Sequence, residues 1–450
     1  MSVSIDGLSV ELVQLVILHL NARGVAALRL TNRAVNSRIL QTNYIRRFKT
    51  RRLWLDAASL QAFEQLTGRA DVRLLPQNLI ILGIARFCME VADETEQHRT
   101  LLARAFANLR KRTGTGSLAS IVLNVSVPEE EGIFLLEKPF TKIDSWTYIW
   151  QVAHQTFTTV FGALGETGLE VTRKLDLFTI PASCSLCYTD FIDIPKRFPG
   201  VLNSLRGLKE LKASLSPPTK VPPDMRRFDL EEEFNGINPR NILQDIARAL
   251  VVIAPAVESI LFHWSDLNKR WQPLLDEPDA SFVARGMQLQ RCSLQGFKVS
   301  EMQLLAFLEH SCPASLELEY VQMYQGSWGP ILQYISSKES GVYSYKLDDL
   351  TQGHDLVHFN APGRPKFSYR ENFTWPSAIA RDGDLAKEPI EHCFMSGRGS
   401  ASPGWHLWRA RKLARFSISL DFVLSNPQEL VEYRDLIESE SEHFSSYRTF

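Results

Sequence analysis

The chain has 450 residues, of which 44% are apolar and 22% charged, and its formal net charge is −1. This composition is typical of globular proteins, and the length predicts two to four domains or one elongated array with a small module. The charge balance excludes a global field that would attract nucleic acid or an anionic membrane. The six cysteines are too sparse for a disulfide framework, so we expect free thiols in the cytoplasm or the nucleus.

The first predicted element is a helix within DGLSVELVQLVILHLNARG, residues 6–24. Asp6 precedes the apolar run, and Glu11 and Gln14 interrupt it, whereas a secretion signal has a basic segment followed by an uninterrupted apolar one. The run is also shorter than the roughly 18 apolar residues of a membrane-spanning helix. Ser9 is placed to cap the helix, and Glu11 then complements the helix dipole.

The apolar residues of this helix form two adjacent stripes at helical spacing. One stripe contains Leu12, Leu15, Val16 and His19, and the other contains Val13, Ile17 and Leu20. Together they are wider than one core contact requires, so the helix is predicted to be buried on two sides.

Two further short helices are predicted around Val25 and Leu28 and around Val35 and Ile39. Helices of this size bury too little apolar surface to be very stable alone. They are therefore either the start of a larger helical core or a small module that another protein completes.

Residues 8–33 carry a family resemblance. LSVELVQLVILHL followed by VAALRLTNR resembles the F-box pattern L-P-x-E-[LI]-[LI]-x-x-I-[LI]-x-x-L…D-L-x-x-L-R-x-x-x-R. The segment that follows is similar to the large F-box family of filamentous fungi. Ser9 stands where the family usually has proline, and Gly24 stands where it usually has aspartate, a likely cap of the second helix. Serine caps the same turn, and glycine is a tolerable cap.

The resemblance implies a docking surface for a Skp-type adaptor, which joins a cullin–RING ubiquitin ligase. The residues that it implies as adaptor contacts or their immediate support are Leu8, Ser9, Leu12, Val16, Leu20 and Leu28. Residues 1–50 are then an F-box-like helical module, and residues 51–75 a linker helix.

Five basic residues lie within residues 44–55, YIRRFKTRRLWL. They are interpreted either as a nuclear-import or phosphate-binding patch or as a solvated helix end with apolar anchors such as Leu53 and Trp54. From about residue 76 short apolar strand candidates alternate with helical patterns, which predicts an α/β domain.

Three segments within this domain resemble one another. They begin at residues 291, 315 and 344, and their spacings of 24 and 29 residues are at or near those of leucine-rich repeats. The predicted fold is thus α/β, a three-helix F-box module followed by an irregular leucine-rich-repeat-like solenoid over residues 76–360, although a parallel layer without true repeats remains an alternative. The substrate-binding candidates are the outward strand positions Arg291, Ser293, Gln295, Glu317, Glu319, Lys346 and Asp348.

Two segments interrupt this pattern. Residues 216–240 are rich in proline and charge and are interpreted as a mobile insertion. Residues 361–450 are predicted to be an irregular loop over 361–404, a closing strand around 416–424 and a C-terminal helix.

No motif indicates catalysis or a cofactor. Cys184 and Cys187 have zinc spacing without a second ligand pair, and His354 and His358 lack the glutamate of zinc proteases. The chain is therefore expected to be a non-catalytic ligase subunit that binds an adaptor and a protein substrate, with no metal, cofactor, nucleic acid or membrane partner. Two alternatives remain: an adaptor-independent scaffold whose first helices cap the solenoid, and an enzyme with an unrecognised pocket.

Overall fold

A computed structural model describes most of the chain as a mixed α/β protein. The described residues are 7–20, 22–42, 49–70, 75–85, 94–114, 116–129, 132–135, 143–179, 184–217, 242–265, 287–353, 355–363 and 374–395.

The α-helices of the described ranges lie between residues 10 and 336. They are α1 (Val10–Leu18), α2 (Ala22–Thr31), α3 (Arg33–Gln41), α4 (Ala57–Gly68), α5 (Thr95–Arg112), α6 (Ile143–Thr167), α7 (Tyr188–Ile192), α8 (Ile194–Arg197), α9 (Val201–Leu205), α10 (Ile242–Ile253), α11 (Glu301–Ser311) and α12 (Trp328–Ser336). None of the helices in the described ranges is long and apolar enough to cross a membrane.

Strands begin only after α3. They are β1 (Thr50–Trp54), β2 (Asn78–Ile84), β3 (Ser117–Glu129), β4 (Gly132–Leu135), β5 (Glu170–Leu177), β6 (Leu186–Cys187), β7 (Glu210–Ser216), β8 (Ser259–Trp264), β9 (Arg291–Gln295), β10 (Lys298–Ser300), β11 (Ser315–Glu319), β12 (Gln322–Gln325), β13 (Ser344–Asp348), β14 (Thr351–Gln352), β15 (Asp355–Phe359), β16 (Ala378–Asp382) and β17 (His392–Met395).

The strands form one large and one small sheet. The large sheet has the order β1-β2-β3-β5-β7-β8-β9-β11-β13-β16, with β4 beside β3 and β6 beside β7. From β1 to β13 neighbouring strands on this path are parallel, and β16 closes the edge antiparallel to β13. The small sheet has the order β10-β12-β14-β15-β17. The path of the large sheet therefore follows the order of the chain.

A common turn follows β9, β11 and β13. Its first residue has a positive φ in each case: 77° at Gly296, 58° at Tyr320 and 54° at Asp349. The Gly296 amide donates to the Glu319 carbonyl at 3.1 Å, and the Tyr320 amide donates to the Asp348 carbonyl at 2.8 Å. A left-handed conformation costs a residue with a side chain about 1–2 kcal/mol. The hydrogen bonds that the amides of Tyr320 and Asp349 donate to the neighbouring segment offset this cost. Each turn leads into a strand of the small sheet.

Helices pack against the large sheet, and the contact of α6 with β2 depends on a glycine. A Cβ on Gly83 would lie 2.1 Å from Thr156 Oγ1 and 2.8 Å from a methyl group of Val152. No larger residue fits between this strand and this helix without moving one of them. The core that results contains residues from Leu53 to Ala386 and excludes the first three helices.

Several boundaries predicted from the sequence are wrong. Residues 51–75 are not a linker helix, because β1 pairs with β2 and only then does α4 begin, burying Leu60 and Phe63 in the main core. The interpretation of residues 50–54 as a helix end is wrong for the same reason. Residues 361–404 are not irregular throughout, since β16 and β17 lie within them. Residues 218–241, the closing strand and the C-terminal helix lie outside the described residues.

Candidate docking face

Helix α1 begins where its sequence predicts. The Ser9 side chain accepts a hydrogen bond from the Leu12 amide at 3.5 Å. Glu11 lies in the first turn, and the hydrogen bond from the Ser9 side chain, followed by that from its own backbone amide, lowers the pKa of its carboxyl group. The Ser9 side chain thus accepts from an amide that has no partner within the helix, and the Glu11 carboxylate places negative charge beside such amides.

Helices α1, α2 and α3 pack around a small core of their own. Its five buried residues are Val13, Ile17, Val25, Val35 and Ile39. Leu8, Leu20 and Leu28 are half-buried and pack against this core. The second apolar stripe predicted for α1 is therefore its inner side.

The other stripe of α1 is exposed. Leu12 is 48% exposed, Leu15 55% and Val16 40%, although buried positions are the usual place for such residues. We call these three residues the α1 face. They lie within two helical turns and form one apolar surface on a unit whose core is already closed, and such surfaces typically mark interaction sites.

The six residues that the resemblance assigns to the adaptor have three different environments. Leu12 and Val16 belong to the α1 face, whereas Leu8, Leu20 and Leu28 support the small core from its edge. Ser9 is exposed and caps α1. The assignment omitted Leu15, the most exposed member of the face, although its place in the first stripe was visible from helical spacing alone.

Two arginines hold the helices together. Arg38 on α3 donates to the carbonyl of Leu8 just before α1, and Arg29 Nε on α2 donates to Asn36 Oδ1 on α3 at 2.8 Å.

Gly24 does not occupy the cap of α2, because α2 begins at Ala22 and includes Gly24 in its first turn. A missing aspartate cap at this position thus has no consequence for the start of α2.

Replacing Ser9 by alanine is expected to destabilise α1 by about 1 kcal/mol, because the Leu12 amide loses its acceptor. Amide hydrogen exchange within α1 of the full chain should then become about fivefold faster. Ser9→Asp, which keeps an acceptor at the cap, should exchange at the wild-type rate. Equal rates in Ser9→Ala and the wild type would show that the cap does not stabilise α1.

The predicted substrate-binding residues are brought together on one face of the large sheet. Strands β9, β11 and β13 pair in register, so that the buried leucines Leu294, Leu318 and Leu347 are aligned. The alternate positions are aligned in the same way on the opposite face. They form three rows: Arg291 with Ser315 and Ser344, Ser293 with Glu317 and Lys346, and Gln295 with Glu319 and Asp348.

The middle row contains a charge pair and a further hydrogen bond across the strands. Lys346 Nζ donates to Glu317 Oε1 at 2.7 Å, and Ser293 Oγ donates to Glu317 Oε2 at 3.3 Å. The hydrogen bond to Glu317 is the main reason that the pKa of Lys346 is raised, and the nearby Glu319 and Asp348 carboxylates add to it. Ser293 is buried, whereas Arg291 and Lys346 are exposed. We call this surface the polar sheet face.

A buried histidine continues the third row, and the sequence reasoning did not single it out. His263 on β8 is the register partner of Gln295, and its Nδ1 lies 3.0 Å from Ser214 Oγ on β7. Burial lowers the pKa of His263 to about 4, and the Glu319 carboxylate opposes this shift. His263 follows Leu261 by two residues on β8 and therefore shares its face of the sheet, but nothing local indicated that it would be buried.

The described cysteines and histidines with metal-ligand spacing are buried or hydrogen-bonded within the fold. Cys184 is fully buried, and burial raises the pKa values of Cys184 and Cys187. His358 lies on strand β15 rather than on a helix, with its Nδ1 2.9 Å from the Trp375 carbonyl. His354 lies outside the described residues. Within the described ranges no three histidine, cysteine or acidic side chains form a group that could hold a metal ion.

No protein-family model matches this chain, and no curated protein matches it in sequence. The α1 face and the polar sheet face are the features of the described residues that bear on function.

Proposed function

We propose that this chain is a substrate-recognition subunit of an SCF-type ubiquitin ligase. The observation that carries the proposal is the exposed apolar α1 face on a three-helix unit that has its own closed core. A helix that only completed the core of a single chain would bury this side as well. The proposed occupant of the face is a Skp-type adaptor.

The first three helices would form the F-box module. Their order and length and the core formed by Val13, Ile17, Val25, Val35 and Ile39 support this. The backbone of Ser9 also supports it, because its φ of −66° is the value that the ring of the family's usual proline imposes. Leu12, Leu15 and Val16 would contact the adaptor, while Leu8, Leu20 and Leu28 would hold α1 in position.

The sheet-containing part would be a leucine-rich-repeat-like solenoid that binds the substrate. The chain-ordered parallel strands, the aligned leucines and the common turn after β9, β11 and β13 support stacked repeats. The substrate would bind at the polar sheet face, through Arg291, Gln295, Glu317, Glu319, Lys346 and Asp348.

The mechanism would be scaffolding in the cytoplasm or the nucleus. The adaptor and its cullin would hold the α1 face, and the polar sheet face would hold the substrate close to the ubiquitin-charged enzyme of the ligase. This chain would form or break no bond. Its contribution is the effective concentration that arises when both partners are bound at once.

The double substitution Leu12→Ala, Leu15→Ala tests the adaptor site. A compact apolar contact of this kind contains hot spots worth about 2 kcal/mol or more, so we expect the affinity of the full-length chain for a Skp-type adaptor to fall at least about 30-fold. Titration by isothermal calorimetry measures this loss. Leu30→Ala is the matched control, since Leu30 is 87% exposed but lies on α2.

The three-helix unit should keep its fold in the double variant, because both side chains lie outside its core. Unchanged amide exchange at Val13 and Ile17 verifies this. Wild-type affinity in the double variant would refute the site. If the wild-type chain binds no adaptor, and deletion of residues 1–50 instead unfolds the remaining domain, the chain is the adaptor-independent scaffold considered above.

A further inference from the structure

Arg291 differs from the lysines that share its side of the large sheet. The polar sheet face continues onto β7 and β5, because Glu210 and Lys174 extend the register row of Arg291. The lysines of β5, β7 and β13 are ion-paired, with nitrogen–oxygen distances of 3.0 Å for Lys174 and Asp176, 3.1 Å for Lys212 and Glu210, and 2.7 Å for Lys346 and Glu317. Arg291 is exposed, and its guanidinium group forms no ion pair within the described ranges. Its N–H donors are therefore free to bind a ligand.

Two serines lie beside Arg291 on the same face. Ser259 on β8 and Ser315 on β11 are its register partners on either side. Neighbouring strands are about 4.8 Å apart, and register partners in parallel strands share a face. Both serines are half-buried, and their hydroxyl groups have no hydrogen-bond partner among the residues that the structure describes. The row thus places a hydroxyl donor on each side of an unpaired guanidinium group.

The acidic residue next to this row is already neutralised. Glu317 lies one strand and two residues from Arg291, as the register partner of Ser293. Its Oε1 accepts a hydrogen bond from Lys346 Nζ at 2.7 Å, and its Oε2 accepts one from Ser293 Oγ at 3.3 Å. Both carboxylate oxygens are therefore occupied, and the positive charge of Lys346 offsets the negative charge of Glu317.

The acidic residues at the two ends of the row are farther away. Glu210 lies two strands from Arg291 and is held by Lys212. Asp382 on β16 lies three strands from Arg291, in register with Ser344. Three strands span about 14 Å, which exceeds the screening length of about 10 Å at 0.1 M salt. An anion beside Arg291 is therefore attracted by the guanidinium group more than it is repelled by these acids.

We propose that Arg291, Ser259 and Ser315 form a binding site for a carboxylate group of the protein substrate. The planar fork of the guanidinium group matches the two oxygens of a carboxylate, and the two hydroxyl groups donate to its remaining lone pairs. A phosphate group fits less well, because it carries a charge of about −1.5 to −2 at pH 7 and the site has one free cation. This inference rests on the proposed function, to which it adds the group by which the substrate is anchored.

The Nε–Hε resonance of Arg291 in the full chain, labelled with ¹⁵N-arginine, reports the site directly. It is assigned by its absence in Arg291→Lys. In a titration with sodium acetate at constant ionic strength, we expect it to reach saturation at a concentration about tenfold or more below that needed at Arg206, which is also exposed.

The serines are tested by the same titration. The double substitution Ser259→Ala, Ser315→Ala should weaken acetate binding at Arg291 about fivefold or more, because it removes both hydroxyl donors. Ser344→Ala is the matched control, since Ser344 belongs to the same row but lies two strands from Arg291. Two acetylated peptides identify the source of the carboxylate: pentaglycine with a free C-terminus, and Gly-Gly-Glu-Gly-Gly with an amidated one. The peptide that saturates the resonance at the lower concentration carries the matching group.

The possible results separate this inference from the proposed function. Equal acetate dependence at Arg291 and Arg206 would overturn the site, because it would show only the general attraction of anions to exposed arginines. Saturation by sodium phosphate at a lower concentration than by acetate would overturn the carboxylate in favour of a phosphoryl group. Neither result involves the adaptor, so both would leave the α1 face unaffected. A chain that binds acetate at Arg291 but no Skp-type adaptor would keep the carboxylate site and lose the proposed function.

Discussion

Replacing Trp328 by alanine is expected to lower the free energy of unfolding by about 3–5 kcal/mol. Trp328 begins α12 and is completely buried in the main core. Its indole Nε1 donates to the Thr351 carbonyl at 3.0 Å, and its backbone amide lies 3.2 Å from Gln352 Oε1, so it joins α12 to β14. Alanine would leave a cavity the size of the indole and a buried carbonyl without this donor.

Urea unfolding followed by far-UV circular dichroism measures this loss. Trp328→Phe keeps most of the packing and removes the donor, so its cost of about 1–3 kcal/mol comes mainly from the lost hydrogen bond. Tyr343→Ala is the control, since Tyr343 is 55% exposed and its loss should change stability by less than about 0.5 kcal/mol. If Trp328→Ala is no more harmful than Tyr343→Ala, Trp328 does not join α12 to β14 through the core.

Acidification from pH 7 to pH 4 is expected to destabilise the fold by about 3 kcal/mol through His263 alone. The pKa of this imidazole is about 4 in the folded chain, against an ordinary value of 6.5, because burial disfavours its charged form. The unfolded chain thus binds more protons between these two pH values. The stability that neutral His263 contributes is complete above about pH 6.5 and is lost as the pH falls towards 4. The pKa of the buried His358 is lowered in the same direction.

Urea unfolding at a series of pH values gives the slope of stability against pH. His263→Gln keeps a polar group beside Ser214 and cannot be protonated. The slope of the free energy of unfolding against pH should therefore become shallower between pH 4 and 6.5 by the contribution of one titrating group. At pH 7 the variant reports only the packing cost of the substitution. An unchanged slope in His263→Gln would show that another group is responsible for the acid sensitivity.

Much of the secondary structure could be predicted because its causes are local. The start of α1 follows from Ser9 and Glu11, which act within one helical turn. The in-register leucines Leu294, Leu318 and Leu347 were visible from their spacing, since residues equivalent in successive units meet across parallel strands. By contrast, β1 was missed because Arg51 and Arg52 are exposed, and only pairing with β2 makes this basic segment a strand.

The α1 face and the polar sheet face also depend partly on local and partly on tertiary causes. Helical periodicity by itself determined that α1 has two apolar stripes, and strand alternation determined that Glu317 and Lys346 share one face of a sheet. Only the tertiary structure decided that Val13 and Ile17 are inside while Leu12, Leu15 and Val16 are exposed, and that His263 is buried. The reason is physical: periodicity depends on neighbours along the chain, whereas burial depends on which distant residues pack against a side chain.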